Sequence, residues 1–156
     1  MLIHVVRHAH AGVRSEWHDD DELRPLTERG AKQAAAIADA LAGADVDVVW
    51  SSRYVRCRQT VQPLADRRGL DVVDHPHLAE GAYGTDALDA LLAEAALGRA
   101  VVACSHGDVI PEIVRAAVGR GAVLHGPAVP RKAERYEMVV KKGAITEVRH
   151  VDRPRV

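Results

Sequence analysis

The chain has no phenylalanine, and aromatic residues make up only 3% of its 156 positions. Its core must therefore be filled by Ala, Val, Leu and Ile. Cysteine is scarce too. Cys57 and Cys104 show neither metal-ligand spacing nor the pattern of a secreted disulfide framework, so both read as reduced, buried thiols. No apolar run approaches the length of a membrane span, and the first one lacks the basic leader of a secretory signal. Membrane association is excluded on this reading, and a cytoplasmic location is expected. An excess of one charge is also missing. Lys and Arg total 21 against 22 Asp and Glu, for a net charge of -1. So even a balance offers no broad field to nucleic acid. Any anion-binding site has to be local.

What is present is an alternation of apolar runs and helical patterns. Leu2–Val6 reads as a buried strand ending in Arg7-His8. A polar loop follows from His10 to Leu23. It contains Asp19-Asp20-Asp21-Glu22, which reads as a solvated acidic face. Thr27 is a natural N-cap for an Ala-rich helix ending near Gly43. Val46–Trp50 is a second strand. Ser51 and Ser52 are plausible caps for a helix to about Arg68, with a kink at Pro63 and a stop at Gly69. Leu70–Val73 is a short strand, and Thr85 caps a helix over Asp86–Leu97 closed by Gly98. Ala100–Cys104 is a buried strand leading to Ser105-His106-Gly107 and a helix over residues 108–118. Glu134–Val140 and Ala144–Val151 read as a β-hairpin around Lys141-Lys142-Gly143. The fold class expected is α/β, a three-layer sandwich with a mainly parallel central sheet and helices on both faces. With no repeat or linker, residues 1–156 read as a single domain.

In a parallel sheet the carboxyl ends of strands share one edge, where ligands bind. Two strands end there in His8 and His106, and the second strand delivers Arg56 to the first turn of its helix. Two imidazoles with Arg7 and Arg56 suit phosphoryl transfer through a covalent His, with fixed cations holding the phosphoryl oxygens. A proton donor to the leaving oxygen is also required. Arg53 and Arg58 fall on other faces of that helix and read as surface charges, and Arg131-Lys132 as a solubility feature. Arg14 and Arg24 either line the mouth of the site or balance the acidic loop. Ser105 reads as a turn hydroxyl, since no nucleophile-elbow motif surrounds it. His75-Pro76-His77 lacks a third ligand, so no metal site is expected.

Five ordered segments resemble the histidine phosphatase superfamily. They are Arg7-His8-Ala9, Leu26-Thr27-Glu28-Arg29-Gly30, Ser51-Ser52 with Arg56-Cys57-Arg58-Gln59-Thr60, Leu78-Ala79-Glu80, and Ser105-His106-Gly107. The resemblance extends to the small SixA-like branch. Arg7-His8-Ala9-His10-Ala11-Gly12, Arg24-Pro25-Leu26, Arg56-Cys57-Arg58-Gln59-Thr60 and Pro63-Leu64-Ala65 are also similar to the phosphatase half of mycobacterial two-domain Nudix proteins, although no Nudix signature is present. The resemblance implies that His8 is phosphorylated and that Arg7, Arg56 and His106 bind phosphate. It also implies that Glu80 is the acid/base carboxylate, with Asp108 as the rival. Neither metal nor organic cofactor is expected. The function implied is hydrolysis of small phosphomonoesters, with nucleotide-type substrates as candidates by analogy. A protein phosphohistidine phosphatase with a protein partner, and a non-catalytic phosphate-binding module, are the alternatives. Ala9 replaces the Gly common after the catalytic His. The long insertions of the mutases are missing, which argues for an open site and against mutase activity.

Overall fold

A computed structural model describes residues 1–156. Seven strands form one sheet: β1 (Leu2–Arg7), β2 (Val48–Ser51), β3 (Val72–Asp74), β4 (Val101–Ser105), β5 (Val123–His125), β6 (Arg135–Lys141) and β7 (Ala144–Val151). Their spatial order is β3-β2-β4-β1-β6-β7-β5. The half β3-β2-β4-β1 is parallel throughout. The β6–β7 hairpin runs antiparallel against β1, and β5 adds parallel to β7 at the edge. The sheet is thus mainly parallel where the chemistry lies and mixed beyond it.

Four helices cover the sheet: α1 (Glu28–Ala40), α2 (Val55–Arg68), α3 (Gly84–Ala96) and α4 (Val109–Gly119). Side chains alternate between the faces of a strand, so β1 feeds two cores. Val6 joins Ile37, Val61 and Leu64 under α1 and α2. Ile3 and Val5 join Leu88, Leu91, Ile110 and Ile113 under α3 and α4. β4 is buried on both faces, as its unbroken apolar run requires. The expected three-layer architecture is the one observed.

Local chemistry explains most boundaries. The Thr27 hydroxyl accepts from the Gly30 amide at 3.1 Å and caps α1. Gly69 ends α2 at φ 63°. Lys142 and Gly143, both at positive φ, close the hairpin, as a type I′ turn demands. Some expectations need correction. Thr85 lies inside α3, which starts at Gly84 behind Tyr83. The reason is contact: a Cβ on Gly84 would sit 2.3 Å from the Glu112 Cβ, so the backbone of α3 rests on α4. Ser51 ends β2, and Tyr54, not Ser51 or Ser52, occupies the N-cap of α2. α1 ends before Gly43, at Ala40, with Leu41 as its C-cap. β5 has no counterpart in the sequence reading.

Candidate active site

β1 and β4 pair up to Arg7 opposite Ser105, and β2 pairs with β4 up to Ser51 opposite Cys104. Two further bonds, His8 N to Ser105 O at 3.1 Å and Ser52 N to Cys104 O at 3.0 Å, carry this alignment one residue past the strands. His8, Ser52 and His106 therefore leave the sheet at one edge. A cavity of about 440 Å³ opens there, and its walls include Arg7, His8, Arg56, Glu80, His106 and Asp108. All five residues selected for chemistry from the sequence, and the rival acid, meet in it. A larger cavity of about 720 Å³ lies near the start of β1 and β4. Its Asp47 and Arg68 are spent on backbone groups.

His8 is 5% exposed. Its Nδ1 lies 2.8 Å from the Ala9 carbonyl. A carbonyl only accepts, so Nδ1 carries the proton and Nε2 keeps its lone pair. Burial, reinforced by His106, Arg56 and Arg7 and opposed by the bond to Ala9, lowers the His8 pKa to about 3. The imidazole is neutral at pH 7. The Ala9 amide donates to Thr60 Oγ1 at 2.9 Å, and that hydroxyl donates to the Arg56 carbonyl at 2.7 Å. The spacing Arg56-to-Thr60, one helical turn, thus ties α2 to the residue after His8.

Three polar atoms on residues that share a cavity with His8 have no partner. Arg7 Nε, Arg56 Nε and His106 Nδ1 are buried with no hydrogen-bond partner. Buried polar groups rarely stay unpaired, and these three belong to residues that line one cavity. The rest of each side chain is fixed. Arg7 donates to Pro130 O at 2.7 Å, and Arg56 to Asp21 O at 2.9 Å and Asp21 Oδ2 at 3.1 Å. A Cβ on Gly107 would lie 2.7 Å from Arg7 Cζ, which is why a glycine follows His106. His106 Nε2 is held at 2.8 Å by Ser52 Oγ and at 3.5 Å by Cys57 Sγ. Its ring meets those of His8 and Tyr54 edge-on, at 5.5 and 4.8 Å between centroids.

Glu80 faces the same cavity, with Oε1 2.6 Å from Arg14 and Oε2 3.5 Å from Arg56. Asp108 instead accepts from the Gly81 amide at 2.9 Å, and Ser105 Oγ donates to Leu78 O at 2.7 Å. Both steady the loop that carries Glu80. Arg14 and Arg24 line the cavity, and each is engaged. Arg14 pairs with Glu80 and Asp21, and buried Arg24 bonds Asp21 and the Ala11 carbonyl.

Two residues had other readings. Asp21 is no solvated acid: Arg14, Arg24 and Arg56 converge on it, and despite burial they hold its carboxyl below the usual range. Only the middle of the loop signalled it, by lying close before Arg24. Lys132 is no solubility feature. It lines the cavity half-buried, forms no ion pair, and is lowered in pKa by burial and by Arg7, Arg24 and Arg56. Cys57 is buried as expected. Burial alone raises a thiol, yet contact with Cys104 and His106 brings this one down. Arg53 and Arg58 are surface residues paired with Glu22 and Asp74. His75 accepts from the His77 amide and stacks on Trp50.

Residues 3–88 match the model of the histidine phosphatase superfamily (branch 1). The 8-oxo-(d)GTP phosphatase of Mycolicibacterium smegmatis is 32% identical over 153 residues, 96% of this chain and 48% of that protein. The chain thus spans about half the length of that relative. Among solved structures, the protein histidine phosphatase SixA complexed with tungstate superposes with a TM-score of 0.73 at 22% identity, covering 94% of this chain and 93% of the other. The alpha-ribazole phosphatase of Shigella flexneri gives 0.70 at 16% identity, with 94% of each chain covered. At those identities the likeness speaks for the fold.

Proposed function

This chain belongs to the histidine phosphatase superfamily, and on that premise we propose that it hydrolyses small phosphomonoesters through a phosphoryl group carried on His8. The observation that carries the reading is the convergence of Arg7, Arg56 and His106 on one cavity with the neutral imidazole of His8. A phosphoryl group offers them acceptor oxygens.

The reaction has two steps. The Nε2 lone pair of His8 attacks phosphorus, and the bond from phosphorus to the leaving oxygen breaks. Glu80 gives that oxygen its proton, and the alcohol departs. The carboxylate then takes a proton from water, whose oxygen attacks the phospho-His. The nitrogen–phosphorus bond breaks, and inorganic phosphate leaves. Arg7, Arg56 and His106 hold the equatorial oxygens as their charge grows. The guanidiniums supply positive charge that a metal ion supplies in other phosphotransferases, so turnover is metal-independent. Residues 1–156 act as one catalytic domain. The M. smegmatis relative directs the substrate screen to nucleotides first, with phosphohistidine peptide as the arm for a protein partner.

The test is turnover of a phosphomonoester panel by the wild-type protein and by His8→Ala, each with and without EDTA. The wild type is expected to be active and indifferent to the chelator, and His8→Ala to be folded and inactive. Activity retained in His8→Ala, or lost in EDTA, contradicts the proposal.

A further inference from the structure

Beside the catalytic cavity lies a second one of about 230 Å³. The two adjoin, because Gly12, Val13 and Arg24 line both. Their walls differ. The catalytic cavity is walled almost entirely by polar and charged groups, whereas the second presents Trp17, Pro25, Leu26 and Val13. Together they reach the size of an ordinary small-ligand site. Gly12 makes the junction. It sits at φ 69°, a conformation that favours glycine, and turns the chain from β1 toward Trp17.

Trp17 is one of only two tryptophans in a chain nearly devoid of aromatic rings. It is not used as core: it stays half-exposed, and its Nε1 donates to the Asp20 carbonyl at 2.9 Å, which pins the ring's edge. Val13 beside it is 56% exposed. Glu16 lines the same cavity with its carboxylate in neither an ion pair nor a hydrogen bond. A pinned indole, flat apolar neighbours and an acceptor-only carboxylate suit a planar group bearing N–H donors on its edge. A second phosphate would meet Glu16 with like charge.

We propose that this Trp17 cavity is a leaving-group subsite that takes the nucleobase of a nucleotide whose phosphate lies on His8. The inference rests on the phosphatase reading and narrows it to nucleotide substrates. The base stacks on the indole, and Glu16 accepts from N–H groups on its edge, as guanine presents.

Guanosine 5′-monophosphate and ribose 5-phosphate share the phosphate and sugar and differ in the base. In wild-type protein, kcat/KM is expected to favour guanosine 5′-monophosphate by about tenfold or more, the range of a base–aromatic stack. Trp17→Ala removes that preference without slowing ribose 5-phosphate, Trp17→Phe restores most of it, and Glu16→Gln lowers it. Equal slowing of both substrates by Trp17→Ala overturns the subsite and leaves the phosphatase reading standing. A readout independent of turnover is the emission of Trp17 in a Trp50→Phe background. Guanosine 5′-monophosphate quenches it and ribose 5-phosphate does not. Absence of differential quenching overturns the subsite even in a protein that hydrolyses neither compound.

Discussion

His8 links the site's chemistry to the protein's stability. Unfolded, its imidazole takes up a proton near its ordinary value of 6.5; folded, it does so only near 3. Between those values unfolding binds a proton, so stability falls as pH falls, by up to about 1.4 kcal/mol per pH unit for this one group. Above pH 6.5 the dependence vanishes. Urea unfolding at pH 5, 6 and 7 is expected to show a midpoint that drops with acidity, and His8→Gln is expected to flatten the drop. An unchanged slope in that variant contradicts the burial argument. The other side chains divide by how local their cause is. Arg7, His8 and His106 were legible because each sits at or just after a strand end, and Arg56 because it lies in the first turn of the helix after β2, where the fold class predicts convergence. Lys132 and Asp21 were not. Each is placed by a contact far along the chain, Asp21 with Arg56 and Lys132 with the field of Arg7, and only nearby Arg24 hints at the first.

Elements add a constraint that side-chain chemistry does not reveal. Gly30 stands in the first turn of α1, where a Cβ would come within 2.0 Å of the His10 carbonyl oxygen. That carbonyl also accepts from the Thr27 amide at 3.0 Å, so α1 is stapled to the chain two residues beyond His8. Gly30→Ala is expected to destabilise the protein by about 1–3 kcal/mol, the usual range for overpacking, as read from chemical denaturation. Its kcat should fall at temperatures where the variant is still folded, because the helix start moves against the loop after β1. A variant as stable as wild type contradicts the close approach. Capping residues and long apolar runs made α1, α2, β1 and β4 readable. β5 escaped because three residues, Val123–His125, show too little alternation to distinguish a strand from a loop. The start of α3 was misplaced because Gly84 was chosen by helix packing, which no capping rule anticipates.

At the scale of the whole molecule, the sheet order does the assembling. β1 runs between β4 and β6, and β4 between β1 and β2, so residues separated by about a hundred positions end on one edge. Composition carried part of this: Ala, Val, Leu and Ile make up most of two cores on either side of a sheet, with Tyr136 and Met138 added to one and Cys57 and Cys104 to the other. Net charge carried none of it, because the cations of the site are offset by acids elsewhere on the chain. The measurement that tests the account most directly is the capture of the phosphoryl group on the enzyme. Glu80→Gln, given a substrate and quenched in alkali within a turnover, is expected to hold one phosphoryl group on the peptide containing His8, stable to base and released by acid. A phosphoryl group on another residue, or hydrolysis that proceeds with His8 never modified, contradicts it.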